Sequence, residues 1–96
     1  MNEIAKLDFA GYEDLPFSLR SALRMYVEEG YMPGGFLTAV LCNDLICAVS
    51  MADTASLQYL PLVTKFVWNR VPQAAYGSAE RMRDYVDAVW DAKRAA

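Results

Sequence analysis

The spacing of apolar side chains along the chain predicts helices and no strands. Between residues 16 and 30, apolar positions recur three and four residues apart, which places them on one helix face. Pro16 suits the first turn of this helix, and Gly30 suits a left-handed C-cap. The residues predicted on its buried face are Leu19, Ala22, Leu23, Tyr26 and Val27. No segment alternates as a strand does, so the pattern predicts an all-α fold, a compact bundle of about four helices.

The second predicted helix, residues 34–52, is apolar almost all the way round. Its apolar positions are Phe36, Leu37, Val40, Leu41, Leu45, Ile46, Val49 and Met51. A helix that is apolar on every side is normally buried on every side. Because a chain of 96 residues cannot hide so much apolar surface alone, we expect a second subunit to cover part of it. The pattern therefore predicts a homo-oligomer.

The third predicted helix covers about residues 55–71. Asp53 or Thr54 offers its N-cap, Pro61 is expected to kink or delay its first turns, and Pro72 ends it. Its predicted inner face consists of Val63, Phe66, Val67 and Val71.

The fourth predicted helix begins after Ser78, a good N-cap residue. Its apolar stripe is formed by Met82, Tyr85, Val86, Val89 and Trp90. Residues 1–14 carry mixed charge and little periodicity, so we interpret them as an N-terminal arm. Residues 15–96 then form a single helical domain, because the chain has no room for two cores.

The composition narrows the classes of function. Twelve acidic and nine basic residues give a net charge of −3, which argues against duplex nucleic acid as a partner. A small anionic ligand needs only a few donors and stays possible. The sequence contains no histidine, and we find neither a nucleophile paired with a base nor a cofactor motif. We therefore expect a protein that is not an enzyme and has no metal site or cofactor.

Two features favour a reducing, cytoplasmic location. Cys42 and Cys47 lie five residues apart on one predicted helix, where their side chains point in different directions and cannot pair. The sequence shows no signal peptide and no apolar run long enough to cross a membrane. We accordingly expect no membrane partner.

The start of the second predicted helix is the first candidate site. Gly34 and Gly35 leave backbone N–H groups uncovered at a helix N-terminus, and Thr38 adds a hydroxyl one turn later. This arrangement is suited to holding a phosphate. The alternative is a turn followed by tight helix packing, with Thr38 bonded to its own helix backbone.

The start of the fourth predicted helix repeats this chemistry. Tyr76, Gly77 and Ser78 combine an aromatic ring, a glycine and a hydroxyl, which suits stacking of a base and binding of its phosphate. The alternative places Tyr76 in the core and uses Ser78 only as a cap. Trp68 is interpreted as a core or interface residue.

Several charged and polar residues have two interpretations. Arg20, Arg24 and Glu28 are spaced as on a solvated helix face with weak ion pairs, although either arginine has the reach to contact an anion across a subunit boundary. Arg81 and Arg83 present the same choice. The polar pair Asn43 and Asp44 lies within the second predicted helix, where a buried carboxylate needs a hydrogen-bonding partner that fixes packing or a ligand.

Four segments resemble small tailed-phage proteins of about this length. They are residues 33–41 (PGGFLTAVL), 43–45 (NDL), 66–69 (FVWN) and 76–78 (YGS). Among such proteins, the chain is most similar to the anti-CBASS cyclic-nucleotide sponge family. The resemblance implies a compact helical protein that forms hexamers in the cytoplasm of the infected bacterial host. It also implies that this protein sequesters cyclic di- or trinucleotide immune messengers without cleaving them.

The resemblance also assigns roles to residues. Gly34 and Thr38 match the spacing of a glycine and a threonine that contact the phosphates of a cyclic trinucleotide. Gln73 stands where the family often has a basic residue, and the lysine of the family's dinucleotide sites has no counterpart close in sequence to residue 34. The full set of expected ligand-binding residues is Gly34, Gly35, Thr38, Gln73, Ala75, Tyr76, Ser78, Arg20 and Arg24.

Two other functions stay open at this point. A phage-encoded interaction protein that inhibits a host protein through its surface fits the acidic charge and high aromatic content equally well. A purely structural oligomer, held together by the second predicted helix, is the third possibility.

Overall fold

The computed structural model describes residues 4–95, and every regular element among them is helical. In chain order the α-helices are α1 (Phe17–Glu29), α2 (Gly35–Leu41), α3 (Leu45–Met51), α4 (Thr54–Gln58), α5 (Leu60–Arg70) and α6 (Ala79–Ala95). A short 3₁₀ turn, Gln73–Ala75, lies between α5 and α6. The all-α prediction is confirmed. The prediction of about four helices is wrong, because two of the predicted helices are each divided in two.

The predicted helix 34–52 is interrupted between α2 and α3. Asn43 has a φ of 64°, in the left-handed region that asparagine adopts more readily than most residues with a side chain. Asp44 then caps α3, since its carboxylate accepts a hydrogen bond from the Cys47 N–H at 3.1 Å. The expectation of a buried Asp44 is also wrong, because this side chain is exposed.

The predicted helix 55–71 is divided at Tyr59. The carboxylate of Asp53 accepts a hydrogen bond from the Ser56 N–H at 2.6 Å, so the predicted N-cap is confirmed for α4. Pro61 lies in the first turn of α5, where a missing N–H breaks no helical hydrogen bond. Of the two effects predicted for Pro61, a kink or a delayed start, the structure shows the second. A separate helix, α5, begins with this proline in its first turn.

The core forms where α1, α5 and α6 meet. The apolar stripes predicted for these helices are confirmed, with Ala22, Val86 and Trp90 half-buried at their edges. The fully or nearly buried members are Leu19, Leu23, Tyr26, Val27, Val63, Phe66, Val67, Val71, Met82, Tyr85 and Val89. Helix α1 is anchored to α6 by the Tyr85 hydroxyl, which donates to the Val27 carbonyl at 2.7 Å.

Gly30 ends α1 as predicted, with a φ of 81°. A side chain at this position would be strained by the backbone conformation. A Cβ placed there would also lie 3.0 Å from Trp90 and 3.1 Å from Val89. The glycine therefore serves both the left-handed turn and the close approach of α6, where the Trp90 indole N–H donates to the Gly30 carbonyl at 3.0 Å.

The described part of the predicted arm packs onto the core; residues 1–3 lie outside the described residues. Leu7 is buried, and its N–H donates to the carboxylate of Glu28 at 2.8 Å. Phe9 is also buried and stacks on Phe66, with ring centroids 4.5 Å apart.

Glu28 pairs with Arg24 at 2.9 Å, as the spacing predicted, but it is only 7% exposed. The prediction of a solvated face is therefore wrong at Glu28.

Both cysteines carry free thiols, as their spacing predicted. The Cys42 Sγ lies 3.3 Å from the Met82 Sδ, between α2 and α6. Burial raises the pKa of the Cys42 thiol, so it is less ionised at neutral pH and a weaker nucleophile than a free cysteine.

The two buried tyrosines predict a loss of stability at alkaline pH. Tyr26 donates its hydroxyl hydrogen to the Ala75 carbonyl at 2.7 Å, and burial is the main cause that raises its pKa above the usual 10.0. Burial likewise raises the pKa of Tyr85. Because the folded-state pKa exceeds the unfolded value, the stabilisation is complete below about pH 10 and is lost as the pH rises toward the folded pKa.

We expect Tyr26→Phe to reduce the loss of stability at alkaline pH. Urea unfolding measured from pH 7 to 11.5 should show a free energy of unfolding that falls less steeply above pH 10 in the variant than in the native protein. At neutral pH the variant should lose about 1 kcal/mol, the typical net contribution of one hydrogen bond. An equally steep fall in both proteins would contradict the assignment.

Candidate functional site

The predicted phosphate cradle at Gly34 and Gly35 faces a cavity of about 290 Å³ between α1, α2 and the α3–α4 junction. The carboxylate of Asp53 lines this cavity, and the hydrogen bond from the Ser56 N–H lowers the pKa of Asp53. The cavity therefore carries a negative charge at neutral pH. No lysine or arginine is among the described residues that line it.

The Thr38 hydroxyl is bonded to backbone, but its acceptor lies before α2 and not within the helix that the packing interpretation named. A Cβ on Gly35 would overlap the terminal methyl group of Met51, which lies at the end of a flexible side chain and covers this end of α2. The Thr38 hydroxyl donates to the Pro33 carbonyl at 3.0 Å and is therefore already used as a donor. Helix α2 has only seven residues, which limits the dipole available to attract an anion.

Arg20 and Arg24 lie against the N-terminal segment and do not line the α2 cavity. The Arg20 Nε donates to the Leu15 carbonyl at 2.9 Å. The Arg24 guanidinium lies 5.0 Å from the centre of the Phe9 ring, in addition to its ion pair with Glu28. Arg24 therefore holds the N-terminal segment in place, whereas Arg20 bonds only to the residue directly before the N-cap of α1.

The predicted N-cap of α6 is confirmed. The Ser78 Oγ accepts a hydrogen bond from the Arg81 N–H at 3.1 Å. The Gly77 N–H donates to the Leu41 carbonyl at 2.7 Å, which ties the loop before α6 to the C-terminal end of α2. Gly34 lies at the opposite end of α2, so the two predicted helix-start sites open onto different cavities.

Tyr76 and Gly77 belong to a second cavity, of about 300 Å³, between α2, α5 and the loop before α6. We call it the Trp68–Tyr76 cavity; its lining residues are Val40, Asn43, Thr64, Val67, Trp68, Tyr76 and Gly77. Trp68 is 73% exposed, and Tyr76 is half-buried. The exposed Trp68 therefore borders a cavity that is open to solvent, whereas Tyr76 lines the same cavity and also packs against the hydrophobic core, as its alternative interpretation predicted.

Arg81 places a positive charge against the loop that carries Tyr76 and Gly77, and its side chain lines a separate depression together with Asp84. Its Nη1 lies 3.5 Å from the Tyr76 carbonyl oxygen, and a Cβ on Gly77 would lie 3.2 Å from the same nitrogen. Arg81 makes no ion pair with another residue in the described range 4–95. Gln73 is exposed and lines an open depression of about 570 Å³ together with Arg81.

The structure thus brings together only part of the predicted ligand-binding set. Gln73, Tyr76 and Ser78 are grouped around Arg81, whereas Ala75 is buried and uses its carbonyl to accept the Tyr26 hydroxyl. The remaining predicted residues lie elsewhere: Gly34, Gly35 and Thr38 at the start of α2, Arg20 and Arg24 at the N-terminal segment.

Sequence reasoning missed Trp68 and Asn43 as residues of this cavity. The signal for Trp68 was present, because position 68 falls outside the stripe of Val63, Phe66 and Val67 and so faces away from the core. The signal for Asn43 was its combination with Asp44, since an asparagine suited to a left-handed turn directly precedes a good N-cap residue.

Helix α3 presents an apolar surface to solvent. Leu45, Ile46 and Val49 form this surface, which we call the α3 face, and Ile46 is 84% exposed. No residue of α3 carries a charge. Within a single chain α3 is therefore exposed, and the expectation that a second subunit covers part of helix 34–52 stays a prediction.

A small cavity of about 80 Å³ connects this surface to the site. Leu45 of the α3 face lines it together with Val40, Asn43 and Thr64, all three of which also line the Trp68–Tyr76 cavity. The α3 face and the aromatic cavity are therefore neighbouring parts of one surface.

Within residues 4–95, no helix is both long and apolar enough to cross a membrane. The same part of the chain holds no group of three or more histidine, cysteine, aspartate or glutamate side chains arranged to bind a metal ion. No protein-family model, curated protein or solved structure matches the chain.

Proposed function

We propose that the protein binds and sequesters a cyclic oligonucleotide immune messenger without cleaving it, in the cytoplasm of a phage-infected bacterium. The observation that carries this proposal is the Trp68–Tyr76 cavity, together with the Arg81 guanidinium that lies against its Tyr76–Gly77 loop and lines the separate depression beside Gln73. Aromatic rings stack on bases of any sequence, and a guanidinium binds phosphate through charge-assisted hydrogen bonds. The resemblance to the sponge family supplies the class of ligand.

The chemistry of the cavity favours binding over catalysis. Its polar side chains are an asparagine, a threonine, a tyrosine and a tryptophan, which orient a ligand through hydrogen bonds and stacking. Among the described lining residues, no nucleophile is paired with a general base. A ligand held here is therefore expected to leave unchanged.

The proposed assembly is a homo-oligomer, with the hexamer implied by the resemblance. The Trp68–Tyr76 cavity, at about 300 Å³, lies at the lower end of the roughly 300–1,000 Å³ typical of ligand pockets. A cyclic oligonucleotide therefore needs a second wall. A second copy of the chain packed on the neighbouring α3 face would supply that wall and would cover the exposed apolar side chains.

Native mass spectrometry tests the proposal directly. The purified protein is measured alone and with a panel of cyclic di- and trinucleotides. We expect an oligomer that gains an integral number of intact ligands, and the stoichiometry shows whether pockets lie between subunits. A protein that binds no member of the panel would overturn the proposal.

Trp68→Ala is expected to weaken ligand binding by about 5- to 150-fold. This range corresponds to the roughly 1–3 kcal/mol that one stacked base loses on alanine substitution. Isothermal titration calorimetry with the tightest-binding panel member provides the measurement, and Trp68→Phe should retain most of the affinity. Arg81→Gln tests the phosphate contact in the same way.

Matched controls separate these effects from general surface changes. Phe17→Ala removes an aromatic ring that is 75% exposed, and Arg94→Gln removes a guanidinium from the far end of α6. Neither should alter affinity. Equal losses in the Trp68 and Phe17 variants would show that Trp68 is not a binding residue.

A second candidate function is the inhibition of a host protein through direct contact. The exposed α3 face favours it, because large exposed apolar patches mark protein interaction sites. If this is the function, the protein binds no member of the cyclic nucleotide panel and binds its host target through the α3 face.

A further inference from the structure

Asn43 occupies a fixed position between the two connected cavities. Its backbone is held in the left-handed conformation by flanking hydrogen bonds, from the Asn43 N–H to the Val40 carbonyl at 3.1 Å and from the Asp44 N–H to the Ala39 carbonyl at 2.9 Å. The adjacent carboxylate of Asp44 is engaged in capping α3. The asparagine side chain is therefore presented from a rigid point of the fold.

The carboxamide of Asn43 is exposed and makes no hydrogen bond with another residue in the described range 4–95. Thr64, which lines the same cavities, already donates its hydroxyl hydrogen to the Leu60 carbonyl at 2.7 Å. Among the described residues lining the Trp68–Tyr76 cavity, Asn43 alone has a carboxamide. This group offers one donor and one acceptor side by side, within a cavity bordered by two aromatic side chains.

We propose that Asn43 selects the base of the ligand, and that the preferred base is adenine; this inference rests on the proposed function. Adenine offers an adjacent donor and acceptor both on its N6–N7 edge and on its N6–N1 edge, which matches a carboxamide in either orientation. Guanine has two acceptors on its O6–N7 edge and matches on its other edge only. Trp68 and Tyr76 supply the stacking surfaces, and Asn43 supplies the discrimination.

The test compares cyclic di-AMP with cyclic di-GMP, two ligands that share the same backbone and charge. The measured quantity is the ratio of their dissociation constants for the native protein, for Asn43→Gly and for Asn43→Asp. Glycine suits the left-handed backbone at this position, so Asn43→Gly removes the carboxamide and keeps the fold, as circular dichroism can verify.

We expect the native protein to bind cyclic di-AMP more tightly than cyclic di-GMP, because adenine matches the carboxamide on two edges and guanine on one. Asn43→Gly should bring the ratio close to one. Asn43→Asp should change the ratio in favour of cyclic di-GMP. An ionised carboxylate can only accept hydrogen bonds, and guanine presents its N1–H and N2–H donors side by side. The added negative charge weakens the binding of both ligands to the same extent, so this effect cancels in the ratio of their dissociation constants.

The possible failures are distinguishable. A native protein that binds the panel but shows the same ratio in all three proteins would overturn the role of Asn43 and leave the sponge function standing. A native protein that prefers cyclic di-GMP would overturn the adenine assignment. A native protein that binds no cyclic nucleotide would overturn the proposed function and this inference together.

Discussion

Replacing Phe66 by alanine is expected to lower the free energy of unfolding by about 3–5 kcal/mol, the range found for large aromatic side chains in cores. Phe66 is fully buried at the centre of α5. Its ring stacks on Phe9 at 4.5 Å and meets the edge of Tyr12 at 5.1 Å. The substitution therefore leaves a cavity under α5 and also removes the main apolar contact of the N-terminal segment.

Urea unfolding followed by circular dichroism measures this loss. Trp68→Ala is the matched control, since it removes an aromatic ring two positions further along the same helix but from an exposed site. It should change stability by no more than about 0.5 kcal/mol. Phe66→Leu keeps much of the volume and should lie between the two. Similar losses for Phe66→Ala and Trp68→Ala would contradict the described packing of α5.

If the proposed homo-oligomer forms through the α3 face, Ile46→Glu is expected to weaken that self-association at least about 100-fold, which corresponds to roughly 2.7 kcal/mol. Ile46 is 84% exposed in the single chain, and the α3 face carries no charge that could pair with the new carboxylate. Burying an unpaired charge in an apolar interface costs at least this much. The variant should therefore fold normally and remain a monomer at concentrations where the native protein assembles.

Sedimentation velocity over a concentration series distinguishes the two species. Phe17→Glu places the same charge on an exposed apolar position of a different helix, α1, and should assemble like the native protein. If the assembly also completes the ligand site, Ile46→Glu loses cyclic nucleotide affinity as well. Unchanged assembly of Ile46→Glu would show that the α3 face is not the interface.

Helices α1 and α6 follow almost entirely from the sequence. Each has a continuous apolar stripe at helical spacing, and each has an identifiable terminus, at Gly30 for α1 and at Ser78 for α6. Local propensity, capping and burial favour the same structure at these places. Agreement among these signals explains why the predicted boundaries lie close to the observed ones.

The segment from α2 to α3 shows where this reasoning fails. Its apolar run favours one long helix, but Asn43 and Asp44 provide an alternative set of local hydrogen bonds. A prediction from periodicity depends on the apolar positions and is little affected by two polar residues such as Asn43 and Asp44. The break at Asn43 changes the direction of the chain, and the apolar side chains of α3 are exposed at the surface. A single continuous helix does not predict this change of direction.

The candidate site is predicted less well than the fold because it depends on tertiary distances. Tyr76 and Ser78 were recognisable from local chemistry, whereas the grouping of Trp68 with Tyr76 depends on how α5 packs beside the loop before α6. The bond between Gly77 and Leu41 joins residues 36 positions apart and sets the position of that loop. No spacing rule in the sequence specifies this contact.

The contacts between α1 and α6 have a consequence for how the protein is made. The Tyr85 hydroxyl reaches Val27, and the Lys93 side chain reaches Glu29, across 58 and 64 positions of the chain. During translation, α1 leaves the ribosome long before its partner helix exists. The core therefore closes only after α6 has emerged, and shortening α6 should abolish the folded state.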